Sequence, residues 1–266
     1  MSVYSKERAE WLRASLESVF RQTVPPSEVV LVEDGPLTGE LEAVVREFET
    51  AHGEMRVIRS PENRGLGRAL NLGLRHCAHE LVARMDSDDI CKPDRFERQL
   101  RVFEEQPEVD VCSAWMEEFV TAPSTVTAVK RLPRDAGALY EYGKRRNPVN
   151  HPVAMFRKRA VIENGSYRDY PLFEDYFLWV RMLTGGCRFH TVQAPLLSFR
   201  ATADMYARRG GWRYAATEFR LQLLFYGLRY IGLATLAKNL AVRFPVRLLP
   251  PPLRGRIYRR GLRTKL

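Results

Sequence analysis

The stretch "LVARMDSDDICKPDRF", residues 81–96, crowds four carboxylates, Asp86, Asp88, Asp89 and Asp94, into nine positions directly after an alternating apolar run. Acids packed this closely repel one another unless a cation lies between them. Hard oxygen donors of this kind suit Mg²⁺ or Mn²⁺, which bind a few carboxylates and complete their shells with water and substrate phosphates; a nucleoside diphosphate is the expected third party. Asp34 ends a second apolar run in "LVEDG". In an open α/β sheet ligands bind beyond the carboxyl ends of the strands, so Asp34, Asp86 and Asp88 are expected to converge on one crevice. The plainer reading of such acids is turns and caps, and Asp94, following Pro93, fits a helix start. A second acidic pair, Glu174 and Asp175 in "FEDYFLW", is flanked by aromatic residues that imply a partly dry setting, which a helix-terminal charge would not need.

The elements that must position these residues alternate along the first half. "EVVLVED" (28–34), "MRVIRS" (55–60), "ELVARMD" (80–86) and "VDVCSAW" (109–115) read as strands. Between them, Leu12, Leu16, Val19 and Phe20 share one helical face, as do Leu41, Val44, Val45 and Phe48, and then Phe96, Leu100 and Phe103. Strands separated by helices predict right-handed crossovers and a Rossmann-like, mostly parallel α/β sheet flanked by helices. In the second half, 151–158 and 187–200 read as strands around a helix at 176–185, and 121–150 as loop with a short helix.

The chain has 266 residues, 45% of them hydrophobic, which is enough for one sizeable core plus an appendage. Its four cysteines form no C-x-x-C pair and no signal peptide is evident, so a reducing, cytoplasmic compartment is expected. From residue 206 onward fourteen Lys or Arg face one acid, Glu218, a balance of +13; the chain totals +10, so the rest carries −3. No run is long enough to span a bilayer. Residues 206–266 are expected to form a basic amphipathic helical tail, with Leu221, Leu224, Phe225, Leu228 and Ile231 on one face, lying peripherally on the anionic inner face of the plasma membrane. The alternatives are a helical lid packed on the body, or a nucleic-acid arm; the tail is too rich in Leu for the latter, and no nucleic-acid partner is expected.

Five segments, "SVYSKERAEWLRASLESVFRQT", "EVVLVEDG", "PENRGLGRALNLGL", "ELVARMDSDDICKPDRFERQL" and "FEDYFLWVRM", stand in the order and spacing of a family 2 glycosyltransferase of the GT-A fold, the bacterial polysaccharide-biosynthesis type. The resemblance covers about residues 1–200. It implies a catalytic domain over 1–205, with a nucleotide-binding part to about 120 and an acceptor-side part at about 121–205. It further implies a nucleotide-diphospho-sugar donor, most simply a UDP-sugar, a divalent metal, and inverting transfer to a lipid-linked or oligosaccharide acceptor. By the same resemblance Ser2, Tyr4, Asp34, Asn63, Gly65, Arg68 and Asp86 contact the donor, Asp88 with Asp86 holds the metal, Asp175 is the general base and Glu174 supports it. His151 and Trp179 belong to the acceptor side, with Arg200, His190 and Trp212 further candidates by position. A first strand in this family carries apolar residues before the segment matching "SVY", so the natural start is expected upstream of Met1. The rival readings are a nucleotidyltransferase, although "SVYSKERAEWLR" has no glycine for a phosphate-gripping loop, and a non-catalytic sugar- or nucleic-acid-binding protein.

Overall fold

A computed structural model of the chain describes residues 1–202, 210–250 and 253. It opens with three parallel strands, β1 (Ser2–Val3), β2 (Val29–Glu33) and β3 (Met55–Arg59), adjacent in that order. Helices α1 (Ala9–Phe20), α2 (Gly39–Ala51) and α3 (Leu66–His76) make the crossovers. Every residue of β2 is buried, as a central parallel strand requires. The expected faces of α1 and α2 are the ones that seal this core, through Leu12, Leu16, Leu41 and Val45. Thr38 caps α2, its hydroxyl accepting from the Leu41 N–H.

The larger sheet has the order β4 (Leu81–Ala83), β8 (Met155–Arg157), β6 (Val109–Phe119), β9 (Arg188–Arg200), β5 (Ile90–Cys91), and β7 (Val126–Lys130) also pairs with β6. Parallel pairing is thus complete in the first sheet and mixed in the second, where only β6 and β9 run parallel and β8 lies antiparallel to both β4 and β6. A 3₁₀ turn at His151–Val153 leads the chain into β8. β7 corrects the expectation of loop at 121–150: "VTAVK" is rich in β-branched residues, and its pairing opposite Met116–Phe119 buries Ala128 and Val129. The short helix expected there is α5 (Ala136–Gly143). Helices α4 (Arg95–Glu105), α6 (Lys158–Glu163) and α7 (Glu174–Thr184) complete this half; α7 is buried from Tyr176 to Leu183.

Two further helices, α8 (Trp212–Gly227) and α9 (Leu233–Leu248), form a hairpin on the body. Leu221, Phe225, Tyr230, Ile231 and Leu236 share one core with α7, so residues 210–250 are not a free tail. The single face expected for membrane contact is therefore divided: Leu221, Phe225 and Ile231 are buried while Leu224 and Leu228 are exposed. The helix ends at Gly227, before Leu228 and Ile231 could extend its stripe. The expected boundary at 205/206 and Arg254, Arg256, Arg259 and Arg260 lie outside the described residues.

Candidate active site

Beyond the end of β4 the chain turns through Asp86, Asp88 and Asp89, whose nearest carboxylate oxygens all lie within 4.8 Å of one another. Among the described residues this is the one such cluster of acids, histidines and cysteines. Asp34 does not join it. Its carboxylate accepts the N–H groups of Arg64 (2.8 Å) and Gly65 (3.0 Å) and so pins the β3–α3 loop. Gly35, at φ +87°, makes that contact possible, since a Cβ there would stand 2.7 Å from the Asn63 nitrogen. Asp34, Asn63 and Gly65 form one unit with the ends of β1 and β2, where Asp34 N–H donates to Val3 and Ser2 pairs opposite Val32; Tyr4 follows at once. Arg68 pairs with Asp169 at 2.7 Å, both exposed.

The third acid, Asp89, is fully buried. Its Oδ1 accepts the Arg200 N–H (2.9 Å), while Oδ2 has no partner. Burial first, then Asp88 and Asp86, push its pKa well up. Burial, with Asp86 and Glu7, likewise raises Asp88 to about 7. Asp86 is the neutralised member, because the buried Arg84 guanidinium donates to both of its oxygens. An uncompensated pair of hard oxygen donors, one with an orphaned buried oxygen, fits a divalent cation, whose charge would return both carboxyls to the ionised form. The loop itself is held rigidly: buried Arg95 donates to the Arg84 carbonyl (2.7 Å), and Ser15 of α1 to that of Asp86 (2.8 Å).

The second acidic group opens α7. Asp175 accepts from Asn147 Nδ2 at 2.6 Å, and burial of its carboxylate raises its pKa against that hydrogen bond. Burial raises Glu174 to about 7, with Asp175 adding like-charge repulsion. Gly67 of α3 lets this helix end approach, since a Cβ would sit 3.2 Å from Glu174 Cγ. Tyr167 feels both acidic groups. Burial dominates the upward shift of its phenol, yet Asp175, Asp86 and Glu174 all act on it, with Arg84 opposing. One electrostatic neighbourhood therefore spans the strand-end loop and the start of α7. His151 bonds the Tyr167 hydroxyl (2.9 Å) and is held neutral, its pKa lowered by burial and by Arg84.

Two acceptor-side expectations change. Trp179 is fully buried against Phe156 and Phe189 and is a core residue, because α7 has no exposed face at that point. Arg200 stands instead at the acidic loop, donating Nε–H to the Asp88 carbonyl (3.0 Å) between the rings of Trp11 and Phe119. His190 is half-buried on β9, and Trp212 is exposed on α8. The residues not anticipated are Arg84, Asn147 and Tyr167, while Asp89, read only as one of the crowded acids, joins the cluster itself. Arg84 was within reach of reasoning, since residues two apart on a strand share a face; the other contacts span long loops and carry no spacing signal.

A scan of family models matches residues 1–165 to "Glycosyl transferase family 2". The chain belongs to that family and is a glycosyltransferase. It is 36% identical, over all of its length and 96% of the other's, to the UDP-Gal:alpha-D-GlcNAc-diphosphoundecaprenol beta-1,3-galactosyltransferase of Escherichia coli. It is 38% identical to the amylovoran biosynthesis glycosyltransferase AmsE of Erwinia amylovora, covering 94% of this chain and 93% of that one. Its GT-A fold matches Staphylococcus aureus TarS 1–349 in complex with UDP-GlcNAc (TM-score 0.66, 16% identity, 92% of this chain and 71% of that one). It also matches the Pyrobaculum calidifontis mannosyltransferase PcManGT with GDP-Man and Mn²⁺ (TM-score 0.58, 19% identity, 95% and 76%).

Proposed function

We propose that the chain transfers a hexosyl group, with inversion, from a UDP-sugar to a lipid-linked saccharide acceptor in bacterial cell-surface polysaccharide synthesis. The observation that carries this reading is the cluster of Asp86, Asp88 and Asp89, within 4.8 Å of one another and suited to a cation, together with the buried Asp175 held by Asn147 at 2.6 Å and suited to a proton. Ser2, Tyr4 and the Asp34-pinned loop cradle the nucleoside. Asp88, with Asp86 and Asp89, holds a divalent cation, which when bound would neutralise the diphosphate leaving group. Asp175, its pKa raised toward the working pH and its carboxylate oriented by Asn147, takes the acceptor hydroxyl's proton as that oxygen attacks the anomeric carbon. Glu174, raised to about 7 itself, adds like charge when ionised and so favours protonation of the pair.

The lipid-linked acceptor and the UDP donor draw support from the named activity of the Escherichia coli relative, with which this chain aligns end to end. Nucleotide-sugar donors screened for hydrolysis with Mn²⁺ or chelator test the donor and metal. NMR of the product's anomeric configuration tests inversion. Retention of configuration, or hydrolysis indifferent to chelator, would overturn the corresponding part.

A further inference from the structure

The α8–α9 hairpin buries one face against α7 and leaves the other bare. On that outer face Trp212, Phe219, Leu223 and Tyr226 recur at helical spacing along α8, and Leu248 is exposed on α9. Phe244 joins the two helices, its ring 5.7 Å from Trp212 and 6.4 Å from Phe219, so the patch is continuous. Trp212 is 67% exposed, an unusual state for the largest apolar side chain. Contiguous exposed apolar surface of this kind marks a site of contact.

The charge around the patch indicates what covers it. Arg213, Arg220, Arg229 and Lys238 are exposed and, among the described residues, in no ion pair. The hairpin's one acid, Glu218, is buried between Arg243 and Arg247. The sequence after Leu253 adds six Lys or Arg and no acid. A second copy of this chain would bring like charges together at such a face. Trp and Tyr with basic residues that extend past an apolar plane instead match the boundary of an anionic bilayer. No described helix is long and apolar enough to cross a membrane, so the hairpin would lie on the surface.

We infer that the outer face of the α8–α9 hairpin docks on an anionic lipid bilayer, with the aromatic patch in the headgroup boundary and the exposed arginines on acidic headgroups. This surface is separate from the transfer chemistry, and its test reads binding alone. The full chain is sedimented with phosphatidylcholine vesicles with and without phosphatidylglycerol. Wild type should bind only the anionic vesicles, weakening with salt without full release. A Trp212→Ser, Phe219→Ser, Leu223→Ser variant should lose the salt-resistant part and bind roughly tenfold or more weakly. An Arg213→Glu, Arg220→Glu variant should bind roughly tenfold or more weakly at low salt and approach wild type at high salt. All substituted side chains are exposed, so the melting temperature serves as the folding control. Sedimentation equal to wild type in both folded variants, or no preference of wild type for phosphatidylglycerol, overturns the inference. So does a dimer in light scattering that the apolar variant dissociates while vesicle binding is unchanged, which would assign the face to a second copy.

Discussion

Glu218 in the hairpin and Asp88 at the strand end are both acids drawn out of water, and their neighbourhoods treat them in opposite ways. Glu218 receives two guanidiniums, from Arg243 and Arg247, and its pKa is lowered although burial alone would raise it. Asp88 is raised to about 7 by burial and by Asp86 and Glu7, which outweigh the nearby Arg84. Where burial serves the fold the protein supplies the counter-charge. At the strand end the charge balance is left open, which is the condition for a cation to matter.

The largest effect should come from the proposed base. Asp175→Asn keeps its shape and its contact with Asn147, so turnover should fall by roughly 10²–10⁴ with donor affinity near wild type; an active variant places the base elsewhere. Next is the paired acid. Glu218→Gln leaves two buried guanidiniums without their carboxylate and should cost about 3–5 kcal/mol in chemical denaturation. A loss under about 1 kcal/mol would erase the contrast between the two regions.

Asp88→Asn should do the reverse of Glu218→Gln. Removing an uncompensated charge should leave the chelated protein no less stable, while abolishing the Mn²⁺-induced gain, about 3 kcal/mol for metal at a hundred times its Kd. A full Mn²⁺ shift in the variant would move the cation to other ligands. The smallest effect concerns Glu174. Its folded pKa of about 7 lies above its ordinary value of 4.5, so its contribution to stability is complete below about 4.5 and is lost as pH rises through about 7. Glu174→Gln should flatten the decline of melting temperature across that window by the equivalent of about 3 kcal/mol at most. Parallel pH profiles for the two proteins would refute the shift.

Much of this was legible because local pattern and tertiary role agreed. The apolar faces of α1 and α2, the strand runs and the crowding of acids after β4 each declare a requirement that only one placement meets. The errors fell where a residue's type permits two fates. Trp179 suits an acceptor platform or a core, and only the burial of α7 on all sides decides between them. Leu221 and Phe225 suit a bilayer or a neighbouring helix, and the aromatic packing of Tyr176 against Phe225 settled their place. Asp34 was expected at the nucleotide, in one crevice with Asp86 and Asp88; the backbone N–H groups of Arg64 and Gly65, 30 and 31 residues on, hold its carboxylate, a contact no spacing foretells.

The hairpin also grips the segment that orients Asp175. Tyr230 donates to the Tyr140 carbonyl, Asn239 to that of Lys144 and Arg243 to that of Arg145, immediately before Asn147. Gly143 has no room for a side chain, since a Cβ would meet the Tyr230 hydroxyl. In engineering terms the C-terminal helices are not an exchangeable cassette. A chimera that swaps residues 210–250 between relatives to retarget the enzyme would have to carry residues 140–147 along with them, or it would misalign a carboxylate that the swapped piece never touches.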